Sequence, residues 1–269
     1  MYTKLLSLLL ISSLFTFSGC KDPFEKTTEN QNQTTTTSDT STSYAKSKTP
    51  VNTANLKQIN VLVVVDSNDG GTKSGATQTK IDHFMSVTNQ VLQNSTVPAK
   101  VNVVKVQPFA FGQQDSKSAL STIYHNSKIA SIRNSVNADL VVIYRNNAND
   151  GLCGIAYLNQ ALNSNIAYAH VSLNCPSTTT AHEIGHTMGL QHSSKKTARN
   201  GHTSYGRGYG VNGEFATIMA YRSTYNTGLR VFNYSSPSIE CQGYTCGVPN
   251  AADSVTALKN SIATVASFR

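Results

Sequence analysis

The chain has 269 residues, of which 39% are hydrophobic and only 13% are charged, and its net charge is +8. One apolar run approaches the length of a membrane span, at the N-terminus, so the sequence excludes a protein with several spans. Apolar blocks recur along the chain and exclude full disorder, while the positive charge suggests an acidic partner without naming it.

The N-terminus has the layout of an export signal. Lys4 precedes the apolar run, and two small residues then lead to Cys20. This ending resembles a bacterial lipobox, in which the cysteine is lipidated and becomes the first residue. We therefore expect residues 1–19 to be a lipoprotein signal peptide and Cys20 to attach an exported protein to the bacterial cell envelope, at the outer membrane or cell surface. An ordinary signal peptide of a secreted protein and an uncleaved anchor helix are the alternatives.

The segment that follows is predicted to be a tether. Residues 20–55 are rich in Thr, Ser, Asn and Gln, and positions 30–38 carry no apolar side chain that could join a core. A flexible coil of about 35 residues spans roughly 30–35 Å. This length is sufficient to separate a folded domain at 56–269 from a membrane.

Strand-like and helix-like patterns alternate after the tether. Five segments follow one another in this way, at 59–65, 76–94, 101–106, 117–136 and 140–144. A further strand at 166–173, expected at the edge of the sheet, precedes a helix with a polar start at 177–180. A helical pattern at 251–268 closes the domain. The order predicts an α/β (α+β) domain in which helices cover a sheet with parallel pairs.

Four cysteines follow Cys20, and an even number in an exported chain favours disulfides. Four cysteines allow three pairings. We favour Cys153–Cys175 and Cys241–Cys246 because each pair flanks a short loop. Free buried thiols are the alternative, and the lack of a CxxC spacing argues against a cysteine zinc site.

The predicted helix after the polar start begins a motif, HEIGHTMGLQH, that can hold a metal. His182 and His186 lie one turn apart on one helix face, where both can reach a Zn²⁺ ion. Gly189 can end the helix in a left-handed conformation, so that the chain turns and brings His192 to the metal. Three protein ligands leave one position for water, which is typical of catalytic zinc. Glu183 lies beside the first ligand and is the predicted general base for that water.

This motif, followed by TIMAY at 217–221, resembles the metzincin clan of zinc metalloproteases. The resemblance implies a metzincin-like mixed twisted sheet with covering helices, a zinc-binding helix, a Met-turn and a C-terminal helix. It places Met219 under the zinc-binding histidines. In the astacin and serralysin branches, a tyrosine two residues after this methionine binds zinc or stabilises the oxyanion, and Tyr221 matches that position. Simple packing is the alternative role for both side chains.

Further stretches resemble the bacterial peptidyl-Asp metalloendopeptidase family, which is reprolysin-like. They are ADLVV at 138–142, CGIAY at 153–157, NYSSP at 233–237 and ATVASFR at 263–269. Ser193 departs from the family, which usually carries Asp after the third histidine, so the subfamily and the substrate preference stay open.

Together these features predict an exported zinc metalloendopeptidase with one catalytic zinc ion and protein or peptide substrates. A calcium site is left open, although nothing in the sequence supports one. Arg207 and Arg222 are the predicted substrate pocket, which would favour bonds next to Asp or other acidic residues, and a solvated basic face is the alternative.

The alternative function is a surface lipoprotein that binds zinc and an anionic partner without turnover. Glu183 argues against it, because a structural metal site needs no base. We expect membrane attachment through the N-terminal lipid and a monomer. No nucleic-acid partner is expected, since no nucleic-acid-binding motif accompanies the positive charge.

Overall fold

A computed structural model describes residues 17–20, 55–69, 75–146 and 150–269. Most of the predicted signal peptide, and the predicted tether after Cys20, lie outside these ranges, so both stay predictions. Within the described ranges, no helix combines the length and the apolar character needed to cross a membrane.

A six-stranded mixed sheet lies at the centre. Its strands are β1 (Phe17–Cys20), β2 (Lys57–Asp66), β3 (Ala99–Phe109), β4 (Leu140–Arg145), β5 (Gly154–Tyr157) and β6 (Tyr168–Ser172). Their spatial order is β1-β5-β6-β4-β2-β3. β2 pairs in parallel with β3 and β4, and β4 pairs in parallel with β6. β5 runs antiparallel to β6, and β1 antiparallel to β5, so the sheet ends in two reversed strands.

Helices cover both faces of this sheet. They are α1 (Gly75–Asn94), α2 (Ser116–Tyr124), α3 (Ser127–Ser135), α4 (Thr178–Thr187) and α5 (Ser254–Val265). Alternate side chains of β2 enter two different cores, with Val61 and Val63 facing α1, α4 and α5, and Leu62 and Val64 facing α2 and α3. Burial on both faces explains why this strand reads as a continuous apolar run.

Two short antiparallel pairs follow α4 in the chain. One pairs β7 (Gly210–Val211) with β8 (Phe215–Ala216), and the other pairs β9 (Glu240–Cys241) with β10 (Tyr244–Thr245). They lie in the long segment between α4 and α5, which also carries the predicted Met-turn.

The structure confirms the mixed α/β class and corrects two predicted elements. The helix predicted at 117–136 is divided into α2 and α3, because Asn126 starts a new helix by accepting a hydrogen bond from the Ile129 N–H. The strand predicted at the sheet edge, 166–173, is internal, since β6 lies between β4 and β5. The sequence pattern missed β5, which has only four residues.

Both predicted disulfides are present. Cys153–Cys175 joins the start of β5 to the segment before α4, and Cys241–Cys246 closes the β9–β10 hairpin. The first bond spans 22 residues, a separation for which the chain-entropy model gives about 3 kcal/mol of stabilisation. It therefore holds β5 close to the helix that carries the metal-binding motif.

Candidate metal centre

The helix that carries the motif, α4, is buried along its whole length. Two buried tyrosines form hydrogen bonds with the first turn of this helix. The Tyr144 hydroxyl and Thr180 Oγ1 are 2.8 Å apart, and the Tyr234 hydroxyl donates to the carbonyl of Ala181 at 2.7 Å. Burial raises the pKa of both tyrosines, which keeps them neutral. The position of the motif is thus fixed by the core and not by solvent-exposed contacts.

The three motif histidines converge on one point. Nε2 of His192 lies 3.1 Å from Nε2 of His182 and 3.0 Å from Nε2 of His186. Nδ1 of His182 is 2.7 Å from the Ile218 carbonyl oxygen, and Nδ1 of His186 is 2.9 Å from that of Leu190. A carbonyl can only accept, so each Nδ1 carries the proton and each Nε2 presents a lone pair.

The donor set fits zinc. Burial is the main cause that lowers the pKa of all three histidines, to about 4 for His186 and well below the ordinary value for His182 and His192. The positive charges of Lys196 and Arg230 lower the pKa of His192 further. Three neutral imidazoles, two of them oriented through Nδ1–H to backbone carbonyls, form the ligand set of a His₃ zinc site.

Two glycines of the motif, Gly185 and Gly189, determine how the chain packs and turns at this centre. Gly189 has φ +94°, so the chain leaves the helix in the left-handed region, as predicted, and returns to place His192 beside the first two ligands. A Cβ at Gly185 would lie 2.5 Å from Sδ of Met219. The missing side chain lets the predicted Met-turn methionine pack against α4 between the two helix ligands.

Arg230 holds the Met-turn in place, and the sequence reading missed it. Its Nη1 donates to the carbonyls of Thr217, Ile218 and Ala220 at 2.7–3.3 Å. The Ile218 carbonyl is the one that orients His182. No local pattern could have indicated this role, because it depends on how the chain folds back after the turn.

Glu183 lies fully buried beside β5. A Cβ at Gly154 would be 2.5 Å from Glu183 Oε1 and 2.8 Å from Cδ. The absence of a side chain at Gly154 therefore makes the space for the carboxylate. Gly154 falls in the CGIAY stretch that resembles the peptidyl-Asp metalloendopeptidase family, but the sequence analysis assigned no role to this glycine.

Tyr221 lies over the histidines. Its ring stacks on His182 with an interplanar angle of 11° and a centroid distance of 6.0 Å, and it contacts the His192 ring at 4.6 Å. The ammonium of Lys196 lies 4.9 Å from its centroid on the ring face. Tyr221 thus lies at the metal centre, in contact with two of the three histidines. Its chemical role stays a prediction.

The two predicted pocket arginines lie in different surroundings. Arg207 is 5% exposed, and its guanidinium donates to oxygens of Ser204, His192, Thr197, Ala198, Arg199 and Asn200. With these hydrogen bonds Arg207 stabilises the loop after the third histidine, and its substrate contact stays a prediction. Arg222 donates to the Gly228 carbonyl at 3.0 Å, and its substrate contact stays a prediction.

Part of the chain is similar to a known protein family. Residues 78–193 match the family described as Metallo-peptidase family M12B Reprolysin-like. This range includes all three histidines, and the reprolysin-like family uses zinc.

Curated relatives named peptidyl-Asp metalloendopeptidase are similar to most of the chain. The protein of Pseudomonas aeruginosa is 28% identical over 218 residues, which are 71% of this chain and 36% of that protein. The protein of Xanthomonas campestris pv. campestris is 28% identical over 222 residues, 78% of this chain and 52% of its own length. The protein of Stenotrophomonas maltophilia R551-3 is 28% identical over 238 residues, which are 84% of this chain and 54% of that protein. The chain thus spans roughly a third to a half of these relatives.

A solved structure supports the fold alone. A chain in a structure described as a chaperone-substrate complex superposes with a TM-score of 0.66 at 22% identity, and the match covers 80% of this chain and 36% of that one.

Proposed function

Residues 78–193 match a reprolysin-like metallopeptidase family, and from this premise we propose that the chain is an exported zinc-dependent endopeptidase. Glu183 is its general base, and it favours peptide bonds next to aspartate. The observation that carries the proposal is the convergence of three Nε2 atoms, together with a fully buried glutamate that directly follows the first of these histidines in the chain. A merely structural metal site would have no use for that carboxylate, so the arrangement favours turnover over simple zinc binding.

His182, His186 and His192 would hold the zinc through Nε2. When bound, the ion supplies a Lewis acid that polarises a carbonyl and acidifies water. The Glu183 carboxylate takes the proton of the attacking water and then delivers it to the nitrogen of the leaving amine. The Tyr221 hydroxyl, with its ring beside two of the histidines, donates to the oxygen on which negative charge develops.

The substrate is proposed to bind as an extended strand along β5. In the structure this strand already pairs with β1, antiparallel, with Cys20 opposite Gly154 and Phe17 opposite Tyr157. A peptide in the same place would satisfy the same backbone groups of β5. Because Gly154 abuts the Glu183 carboxylate, such a peptide would pass beside the general base. The predicted cleavage before Cys20 would remove three of the four β1 residues and expose this edge.

Export and attachment to the envelope rest on the leader pattern at residues 1–19 and on Cys20. The two disulfides support this proposal, since such bonds persist in oxidising compartments and are rare in the cytosol.

The preference for aspartate has two supports. The relatives that match most of the chain are named peptidyl-Asp metalloendopeptidase. In addition, positions 184–213 contain four lysines and arginines and no acidic residue. A positive potential on this side of the metal centre would attract a substrate carboxylate.

A chelator experiment tests the function. The purified chain should cleave a peptide with one internal aspartate, and cleavage should stop after metal removal with 1,10-phenanthroline and return on addition of Zn²⁺. Mass spectrometry of the products locates the cut. Cleavage that survives complete metal removal would contradict the mechanism, whereas tight zinc binding without any cleavage would favour the alternative of a non-catalytic surface lipoprotein.

Substitution of Gly154 by alanine should lower kcat by about 100-fold and leave zinc bound. The added Cβ would overlap the Glu183 carboxylate, and displacement of a catalytic group by about 1 Å costs that much. Gly75→Ala is the control, because a Cβ at Gly75 meets no atom within 4 Å. An unchanged kcat for Gly154→Ala would show that the position of this carboxylate does not limit turnover.

A further inference from the structure

One exposed cation lies at the metal centre. Lys196 is exposed, and its ammonium rests on the face of Tyr221, 4.9 Å from the ring centroid. The same ring contacts His182 and His192. Lys196 is thus separated from two metal ligands by a single aromatic side chain, and its charge acts on His192.

Two neighbouring arginines each donate several hydrogen bonds within the protein, and a third donates one. The guanidinium of Arg207 donates into the loop after His192, and Arg230 donates to carbonyls of the Met-turn. Arg222 donates to the Gly228 carbonyl. Within the described part of the chain, no carboxylate forms an ion pair with Lys196, so its ammonium keeps its hydrogen-bonding capacity for a ligand.

The adjacent lysine has a different position. Lys195 is equally exposed, but its ammonium lies 4.7 Å from the centroid of Tyr225 and donates to Asn212 Oδ1 at 3.0 Å. Two consecutive lysines of equal charge therefore point to different aromatic rings, and one of those rings contacts the metal ligands.

We propose that Lys196 is the specificity-determining residue, and that its ammonium binds the carboxylate of a substrate aspartate or glutamate next to the scissile bond. The inference rests on the proposed peptidase function. A substrate residue beside the scissile bond lies within a side-chain length of the metal centre. Tyr221 holds the Lys196 ammonium on its ring face, next to the metal-binding histidines. An ammonium–carboxylate contact is a charge-assisted hydrogen bond that an amide cannot replace at equal strength.

The test compares two fluorogenic peptides that differ only by aspartate or asparagine at the residue next to the cut. It uses the full chain as wild type, Lys196→Gln, Lys196→Arg and, as the matched control, Lys195→Gln. We expect Lys196→Gln to reduce the ratio of kcat/KM between the aspartate and asparagine peptides by about tenfold, the effect of one hydrogen bond to a charged group. Lys196→Arg should restore most of the ratio, and Lys195→Gln should keep it.

Two further readouts separate recognition from general damage. The loss in Lys196→Gln should appear in KM more than in kcat. In a Glu183→Ala background, in which cleavage is expected to be about 10³-fold slower, fluorescence anisotropy should show weaker binding of the aspartate peptide by Lys196→Gln. Raising the salt to about 1 M should reduce the wild-type preference, because the ammonium is exposed to screening.

The outcomes distinguish this inference from the function on which it rests. If wild type cleaves neither peptide with zinc present, the peptidase function fails. If wild type prefers aspartate and Lys196→Gln keeps that preference, or Lys195→Gln loses it to the same extent, the assignment to Lys196 is wrong while the peptidase function stands.

Discussion

Replacement of Glu183 by alanine should reduce kcat/KM for a peptide substrate by about 10³-fold, while one zinc ion per chain remains bound. The size follows from the usual contribution of a positioned general base, about 10²–10⁴-fold. Two of the three histidines that would hold the metal are oriented by the carbonyls of Ile218 and Leu190, contacts in which the Glu183 side chain takes no part. Zinc content measured by plasma mass spectrometry and peptide kinetics on the same sample separate the two properties.

Glu214→Gln is the matched control for this change. Glu214 is exposed and lies outside the motif, and its backbone carbonyl, which accepts from Thr227, is unaffected by the substitution. It should retain wild-type activity. Near-normal turnover by the Glu183→Ala protein would contradict the assignment of the base, and loss of zinc would show that the carboxylate supports the metal instead.

The metal centre could be predicted because its determinants are local. Helical periodicity alone puts His182 and His186 on one face, and the left-handed preference of glycine at Gly189 accounts for the return of His192. These relations need no knowledge of the rest of the fold. The alternation of β2 between two cores is equally local, because a continuous apolar run is what burial on both faces requires.

What the sequence could not predict depends on distant parts of the chain. The place of β6 inside the sheet follows from pairing with the four-residue β5, whose short pattern carries little signal. The space that Gly154 leaves for Glu183 arises only when β5 packs beside α4. Periodicity describes an element by itself and does not specify its neighbours.

The basic residues after the motif show the same limit. Their composition predicted a cationic side of the centre, but not which cations face solvent. The structure buries Arg207 among carbonyls and leaves Lys196 exposed on Tyr221. Charge is a property of the sequence, whereas the availability of a charge to a ligand is a property of the tertiary contacts that surround it.

Arg207→Met should be the most destabilising of the changes considered, with a loss of about 3–5 kcal/mol in the free energy of unfolding. The guanidinium donates to six oxygens at 2.7–3.3 Å, five of them backbone carbonyls between 192 and 204. Methionine preserves much of the volume and none of these bonds. We expect thermal unfolding of the zinc-loaded chain to shift down by roughly 10 °C, together with weaker zinc binding, because the same loop follows His192.

Arg199→Met is the control for loss of charge, since Arg199 lies on the same loop but is exposed, and its backbone carbonyl would still accept from Arg207. It should leave the unfolding temperature within about 2 °C of wild type, as exposed substitutions usually do. If Arg207→Met kept wild-type stability and instead lost the preference for aspartate, the guanidinium would have to be available to substrate, and the pocket role predicted from sequence would be supported. A loss of stability with an unchanged preference would mean that Arg207 holds the third ligand in place and does not select the substrate, so that the preference must come from another cation of this loop.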